Sequence, residues 1–173
     1  MSSIPDPEEC LNYLREAGCS DKVIEHCKAV RDIAVRIAQK TNADLDLVEA
    51  GALLHDIGRS KTHGIRHAIE GVKIGKKLGF SEDILKIIER HIGAGLSKDE
   101  AKKLGLPAKD YFPVTLEEKI VCHADNLIDN NKQQKIESQL ERALNKNLKE
   151  YAIRLLNLHK ELSDICGIDL NDI

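Results

Sequence analysis

The stretch Leu53–Gly58 reads Leu-Leu-His-Asp-Ile-Gly, which places a histidine beside an aspartate at the end of an apolar run. Both side chains can bind a metal, and burying either one without a partner is unfavourable. The apolar spacing before the pair predicts a helix over about 45 to 57, with Asp44 as its N-cap and Gly58 as its C-cap. The interpretation of the whole chain therefore depends on whether other segments supply partners for this histidine and aspartate.

Four other predicted helices carry a histidine or an aspartate on their apolar side. Apolar residues three or four positions away place each of these polar groups on a buried face. An unpaired buried charge costs on the order of several kcal/mol, so we expect these faces to converge on a shared divalent cation. The polar residues are His26 in a helix over about 21 to 40, His67 in a helix over about 65 to 78, His91 at the end of a helix opened by Ser81, and Asp125 in a helix opened by the capping box Thr115-x-x-Glu118.

The composition favours packed helices in a single domain over residues 1–173. Aromatic residues make up 3% of the chain and Trp is absent, so Leu, Ile, Val and Ala have to build the core. No segment alternates strictly between apolar and polar residues, and the expected fold class is therefore all-α. After a core over about 20 to 130, an extension over 131 to 173 is expected to contain one long amphipathic helix reaching about residue 166, which packs on the domain or forms a homodimer.

Charge and cysteine usage argue against several classes of protein. Charged residues of both signs are interleaved and make up 32% of the chain, and the net charge is -3, whereas a protein that binds duplex nucleic acid is expected to be basic. The five cysteines contain no Cys-x-x-Cys pair, which argues against a disulfide framework or a zinc knuckle. No apolar run reaches the ~18 residues that cross a bilayer, and no signal core follows the N-terminus. A cytoplasmic protein without a membrane segment is expected.

A histidine on an apolar face is more often a hydrogen-bonded core residue than a metal ligand. His159 lies on an apolar stripe of the predicted C-terminal helix and is assigned no role. His123 lies two residues from Asp125, hence on another side of that helix, and is interpreted as structural or solvated. The adjacent pair His55 and Asp56 favours a metal site, because a structural role seldom requires two neighbouring polar residues inside.

His26, the segment His55–Gly58 and Asp125 occur in the order His, His-Asp, Asp, and this ordered set resembles the HD superfamily of metal-dependent phosphohydrolases. The resemblance covers about residues 20 to 130 and implies an HD-domain-like helical bundle. It also implies that His26, His55, Asp56 and Asp125 bind a divalent transition metal, with Mn, Fe, Co, Ni and Zn all suited to these ligands.

Two further histidines match the members of this superfamily that bind two metals. His67, followed by Gly71 four residues later, and His91 are expected to hold a second metal that Asp56 bridges to the first. His63 lies in a loop without a matching glycine and is the lesser candidate. The chain departs from two subgroups: no Gly-Tyr-Pro segment of the cyclic dinucleotide phosphodiesterases follows His91, and the His-Asp-x-x-Glu-Asp form of the stringent-response hydrolases is absent.

The resemblance implies hydrolysis of a phosphomonoester or phosphodiester by metal-activated water, with a nucleotide as the first expectation. His55 and Asp56 are the expected catalytic residues. Three basic residues, Arg59, Lys61 and Arg66, follow the pair and are candidates for binding phosphate oxygens, and a solvated basic loop is an equal alternative for each. Two other functions stay open, a di-iron oxygenase and a non-catalytic, metal-stabilised module that binds a nucleotide or a partner. Residues 92 to 114 are expected to cap the site.

Overall fold

A computed structural model describes residues 3–173, which form nine α-helices, two 3₁₀ turns and one small antiparallel hairpin. The all-α fold class is confirmed. The helices are α1 (Pro7–Ala17), α2 (Asp21–Ala38), α3 (Leu45–Leu54), α4 (His67–Leu78), α5 (Glu82–Glu89), α6 (Lys98–Lys103), α7 (Leu116–Asn126), α8 (Ile136–Asn145) and α9 (Lys149–Cys166). The 3₁₀ turns are Ile57–Ser60 and Leu170–Asp172, and the strands are β1 (Ile128–Asp129) and β2 (Lys132–Gln133).

Helices α3, α5 and α7 begin at the predicted residues Asp44, Ser81 and Thr115, and α2 and α6 begin with caps of the same kind. A side-chain oxygen at each cap accepts the N–H of the residue three positions later, which satisfies a backbone donor that the helix leaves free. The caps are Ser20 with Val23, Asp44 with Leu47, Ser81 with Ile84, Ser97 with Glu100, and Thr115 with Glu118. The predicted capping box at Thr115 forms only in part, because the Glu118 carboxylate accepts from the Val114 N–H and from Arg90.

The core lies where α2 packs against α3 and α7, and where α3 packs against α1 and α5. These contacts bury aliphatic side chains from every one of these helices, as the aromatic-poor composition requires. The largest fully buried side chains of this core include Leu14, Ile37, Leu53, Leu54, Ile84, Ile87, Ile88 and Ile120. Because these helices share one core, the residues at their ends are brought close to one another.

Two predicted helix ends are wrong, and both affect the segment that carries the histidines. Helix α3 ends at Leu54, and Gly58 lies inside the following 3₁₀ turn, so it is not a C-cap. A Cβ at Gly58 would overlap the carbonyl oxygen of His67 and lie 2.6 Å from the backbone nitrogen of Gly71. The glycine is therefore required for the close approach of this turn to α4. Helix α5 ends at Glu89, so His91 follows the helix.

The predicted long C-terminal helix is also wrong. Residues 130 and 131 form the turn of the β1–β2 hairpin, and α8 and α9 are separate helices that pack on each other. The chain turns at Asn130 (φ 59°) and at Asn147 (φ 58°), because asparagine adopts the left-handed conformation more readily than most residues. The apolar repeat continues across the second turn, so its spacing did not reveal the break. Leu155 and Leu162 pack α9 onto the domain, and a homodimer through this region stays a prediction.

Within residues 3–173, all five cysteines are free thiols, and four of them are buried. No helix in this part of the chain is both long enough and apolar enough to pass through a bilayer.

Candidate metal centre

The six predicted metal ligands lie together at the point where α2, α3, α4, α5 and α7 converge. Four of them are almost completely buried, with exposed fractions of 0% for His55, 2% for Asp56, 5% for His67 and 1% for His91. His26 lies within α2 and Asp125 near the end of α7, and both side chains are partly exposed. The helical core therefore positions every ligand that the sequence predicted, in one cluster with one open side.

Each of the four histidines of this cluster is held by the same kind of hydrogen bond, a backbone tether at Nδ1. In each, the Nδ1–H donates to a backbone carbonyl, which can only accept, so Nδ1 carries a hydrogen and Nε2 is the nitrogen available for a metal. The acceptors are Asn130 for His26 (2.5 Å), Ala52 for His55 (2.6 Å), Gly64 for His67 (2.8 Å) and Ile88 for His91 (2.7 Å). Metal-binding histidines are commonly oriented in this way by a hydrogen bond at the second ring nitrogen.

The carboxylate of Asp56 lies between two pairs of these histidines. Its Oδ2 atom is 3.4 Å from His26 Nε2 and 3.5 Å from His55 Nε2. Its Oδ1 atom is 3.3 Å from His67 Nε2 and 3.1 Å from His91 Nε2. One carboxylate thus faces a different pair of imidazoles with each oxygen, as a carboxylate that bridges two cations would.

Asp125 completes the first of the two pairs. Its Oδ1 atom is 2.9 Å from His26 Nε2 and 3.5 Å from His55 Nε2. In the second pair, the Nε2 atoms of His67 and His91 are 3.0 Å apart. With both Nδ1 atoms protonated, two neutral rings would direct one lone pair at the other, so a cation or an added proton is required between them.

The unsatisfied atoms indicate where positive charge is missing. Among the described residues, four buried side-chain atoms have no hydrogen-bond partner: His55 Nε2 and Asp56 Oδ1 in this cluster, and His123 Nδ1 and Arg154 Nε elsewhere. Buried polar atoms are nearly always paired, and an absent ion is one explanation for an exception. Imidazole nitrogens and carboxylate oxygens are suitable ligands for divalent transition metals. The residues present therefore fit such a metal in both halves of the cluster, Asp56 being common to the two.

The electrostatics of the cluster also favour added positive charge. Burial alone would lower the pKa of His55, but the carboxylates of Asp56 and Asp125 raise it to about 9. Burial alone would raise the pKa of Asp56, but the nearby imidazoles hold it well below its usual range. The two carboxylates are thus ionised at neutral pH, and a proton on His55 balances part of their charge. Metal binding would release that proton.

Arg59 is the predicted phosphate-binding residue that lies at the cluster. Its Nε–H donates to Asp56 Oδ2 (3.0 Å) and an Nη1–H donates to the His63 carbonyl (3.2 Å). Lys61 is exposed, and exposed Arg66 donates to the Gly105 carbonyl (3.0 Å). Neither Lys61 nor Arg66 lines the cavities over the cluster, and their phosphate-binding roles stay predictions.

Two cavities give access to the cluster, and Arg59 and His63 line both. The larger, of about 390 Å³, reaches His26 and Asp56. The smaller, of about 290 Å³, reaches His67, His91 and Asp125 and is also lined by Gly64, Ile65, Ile92 and Gly93. Together the two cavities reach five of the six predicted ligands, and His55 lines neither.

Three residues at the larger cavity were missed from the sequence: Ser20, Lys22 and Asn130. Lys22 lies four residues before His26, so helical spacing could have placed it on the same face. The backbone carbonyl of Asn130 accepts a hydrogen bond from His26. In the sequence, only the tendency of the Asn-Asn pair to form a turn pointed to this position. Lys22 adds a positive charge at the mouth of the cavity.

The two histidines without an assigned role form a separate buried pair. His123 Nε2 lies 2.8 Å from His159 Nδ1, and His159 Nε2 lies 2.8 Å from Asp169 Oδ1. His123 is fully buried, which excludes the solvated alternative for this residue. Burial lowers its pKa to about 3, so the ring is neutral. This pair lies outside the metal cluster and links α7, α9 and the C-terminal segment.

Comparison with known proteins agrees with this geometry. The family model described as HD domain matches residues 23–129. The chain is 49% identical over 170 residues to a tRNA (cytidine(56)-2'-O)-methyltransferase of Picrophilus torridus, an alignment that covers 98% of this chain and 50% of that protein. It is 46% identical over 166 residues to the uncharacterized protein MJ0778 of Methanocaldococcus jannaschii, covering 91% and 97% of the two chains. The chain thus spans about half the length of the methyltransferase relatives and nearly all of the second protein.

Shorter and more distant similarities are to a ribonuclease and to the fold of a phosphodiesterase domain. A Ribonuclease Y of Salinispora arenicola is 37% identical over 90 residues, which are 50% of this chain and 15% of that enzyme. The HD domain of the L. monocytogenes phosphodiesterase PgpH has the same fold, with a TM-score of 0.61, 18% identity and coverage of 94% of this chain and 95% of that one.

Proposed function

We propose that the chain, which belongs to the HD-domain family, is a metal-dependent phosphohydrolase that cleaves a phosphoester bond of a nucleotide. The observation that carries the proposal is the Asp56 carboxylate, set between four Nε2 atoms whose rings are tethered through Nδ1. Two buried atoms of the cluster, His55 Nε2 and Asp56 Oδ1, have no hydrogen-bond partner, and a bound ion would satisfy both. Hydrolysis is the chemistry that such a cluster supports when it is open to substrate.

His26, His55, Asp56 and Asp125 would hold one ion, and Asp56, His67 and His91 would hold the second. When bound, divalent ions lower the pKa of water and offset charge on the phosphate oxygens. The ligand set is compatible with Mn, Fe, Co, Ni and Zn.

The protein residues around the ligands have roles of their own. The four backbone tethers hold each Nε2 toward the carboxylates, so little reorganisation is required when the site is loaded. Arg59 orients Asp56 through its Nε–H, and its remaining donors border both cavities, where they can bind phosphate oxygens. Lys22 can add charge attraction for a phosphate at the larger cavity.

A nucleotide phosphodiester is the substrate class that the relatives favour. The proteins named Ribonuclease Y and tRNA (cytidine(56)-2'-O)-methyltransferase are both named for RNA. Two half-sites that share one carboxylate also suit a diester, since both the attacking and the leaving oxygen can be stabilised. We therefore expect nucleotide diesters to be cleaved faster than monoesters.

The test is hydrolysis by chelator-treated protein that is reloaded with one metal at a time. The substrates are a nucleotide monoester, a cyclic nucleotide, a short RNA, nitrophenyl phosphate as a simple monoester and bis(nitrophenyl) phosphate as a simple diester. We expect activity with at least one metal, about two ions per chain by elemental analysis, and about one ion in His91→Asn. Arg59→Gln should lower activity more than Lys61→Gln or Arg66→Gln. A reloaded wild type that cleaves no member of this panel would contradict the proposal.

A second candidate function comes from the methyltransferase relatives. Because 98% of this chain aligns with about half of such a protein at 49% identity, methyl transfer by the aligned half is a second hypothesis. Incubation of the chain with tRNA and S-adenosylmethionine separates the two candidates. Methyl transfer by this chain would replace the hydrolase proposal, whereas hydrolysis without methyl transfer supports it.

The two alternatives from the sequence are separated by equally direct measurements. A di-iron oxygenase predicts oxygen consumption by the iron-loaded protein. A metal-stabilised binding module predicts tight nucleotide binding without turnover. The proposed hydrolase predicts turnover that does not depend on oxygen.

A further inference from the structure

We propose that an apolar side cleft next to the metal centre binds the nucleobase of the substrate. The side cleft is lined by Ile65, Ile92, Leu96, Leu104, Leu148 and Tyr151. The inference rests on the proposed function, because it states where the base of the proposed nucleotide substrate binds while its phosphate lies at the metal centre.

The side cleft adjoins a cavity over the metal centre. Its volume is about 670 Å³, and it lies between the segment around α6 and the turn that joins α8 to α9. Ile65, Ile92 and Gly93 line both this cleft and the 290 Å³ cavity that reaches His67, His91 and Asp125. A ligand whose phosphate lies at the metal centre can therefore extend into the cleft along one shared wall.

The lining matches the chemistry of a nucleobase. Its walls are mostly apolar, and polar side chains of both signs stand among them, including Lys103, Asn147 and Glu150. Binding sites for small molecules typically combine apolar walls with a few polar groups in volumes of roughly 300–1,000 Å³. A nucleobase has two apolar faces and a polar edge, so it can use both parts of this lining.

Two leucines at the cleft have no evident role in folding. Leu104 and Leu148 are 45% and 47% exposed, as several other large apolar residues of the chain are, but these two line one cleft together. Leu148 occupies the N-cap of α9 without a side-chain cap bond, a position where leucine is a poor choice and serine or aspartate is favoured. Leu104 is the C-cap of α6. Their apolar surface is explained if a ligand covers it.

The backbone of Gly93 and Gly95 forms the floor of the cleft, and side chains of α7 and α9 hold it in place. The Tyr151 ring lies against Gly93, where an added Cβ would come within 2.9 Å of the ring. Asn126 Nδ2 donates to the Gly93 carbonyl (2.9 Å), and Arg154 donates to the Gly95 carbonyl (3.2 Å). The cleft is thus preformed, which reduces the ordering required on binding. Tyr151 supplies an aromatic ring for contact with a base.

Binding of a nucleoside that lacks phosphate tests the side cleft directly. Zinc-loaded protein, which is diamagnetic, is titrated with adenosine, guanosine, cytidine or uridine, and backbone amide shifts are followed by NMR. At least one nucleoside should shift the amides of Gly93, Gly95 and Tyr151. In the double variant Leu104→Ser/Leu148→Ser the Kd should rise at least about 5-fold. The control Leu156→Ser, at a residue that is 52% exposed on α9 but outside the cleft, should bind like wild type.

Several results would overturn the inference. These are an absence of shifts at the cleft, an equal Kd in wild type and the double variant, and shifts of the same amides on raising the protein concentration alone. The last result would assign the cleft to a second copy of the chain.

Kinetics separate a failure of this inference from a failure of the proposed function. The double variant should raise KM for a nucleotide ester and leave its kcat nearly unchanged. Hydrolysis with an unchanged KM for the nucleotide ester would overturn the side cleft alone. If no ester is hydrolysed, the proposed function fails, and the nucleoside titration still decides whether the cleft binds a base.

Discussion

The protein contains two clusters of buried histidines, and they differ in what lies opposite each nitrogen. At the metal centre, four Nδ1 atoms donate to backbone carbonyls and four Nε2 atoms face two carboxylates or one another. In the other cluster, His159 uses both nitrogens on protein partners, His123 and Asp169. The first arrangement fits an added cation, whereas in the second the ring nitrogens bond to one another and to Asp169, with His123 Nδ1 left without a partner. An apolar stripe therefore does not distinguish the two clusters, whereas the partners of the ring nitrogens do.

Asp56→Asn should produce the largest effect, because this one carboxylate faces both pairs of imidazoles. We expect metal content to fall from about two ions per chain to one or fewer, and hydrolysis to fall at least about 100-fold. Elemental analysis and the hydrolysis assay measure the two effects. Asp169→Asn, the matched change in the other cluster, should retain its metal and its activity. Loss of metal in Asp169→Asn would remove the distinction between the clusters.

Chelation should lower the thermal stability of wild type, since bound ions stabilise only the folded chain. At a free metal concentration of about 100 Kd the stabilisation is about 2.7 kcal/mol, which corresponds to a Tm increase of roughly 5–10 °C in a domain of this size. Differential scanning calorimetry with and without a chelator measures it. The difference in Tm with and without the chelator should be smaller in His26→Asn than in wild type, and it should be unchanged in His159→Leu. A wild-type Tm that does not respond to chelation would count against resident metals.

His159→Leu should destabilise the fold without affecting the metals. The substitution leaves His123 Nε2 buried without a partner, which costs roughly 1–3 kcal/mol. Because the penalty comes from the orphaned nitrogen, the double variant His123→Leu/His159→Leu should lose less stability than the two single variants together. Urea unfolding of the four proteins completes the cycle. A fall in metal content in His159→Leu would show that the clusters are coupled.

The smallest expected effect is a pH dependence at Asp169. The Asn171 N–H and the hydrogen bond from His159 lower the pKa of this carboxyl below its usual value of 3.8. The folded state therefore binds this proton less readily than the unfolded state, so the contribution is present above about pH 4 and is lost as the pH falls below it. The side chain is exposed, and the effect should be small. Urea midpoints of wild type and Asp169→Asn should converge below pH 4; a constant difference would exclude an ionic contribution.

Much of the fold was predictable because helix starts are local. Ser20, Asp44, Ser81 and Thr115 each accept a backbone N–H three residues later, and this requires only neighbouring sequence. Helix ends were less predictable. The break at Asn147 interrupts no apolar repeat, and the role of Gly58 depends on α4, a different element that packs against it.

The sequence by itself determined which six side chains come together in the candidate metal centre, because apolar residues at helical spacing surround them and their order matches a known family. It could not determine which atoms of these side chains lie next to one another. Only the tertiary structure decided that the two oxygens of Asp56 face different pairs of histidines, that Arg59 contacts Asp56 while Lys61 and Arg66 point elsewhere, and that an apolar cleft adjoins the site. The physical reason is that helical spacing specifies the face on which a residue lies, whereas the atom it meets depends on how distant helices pack.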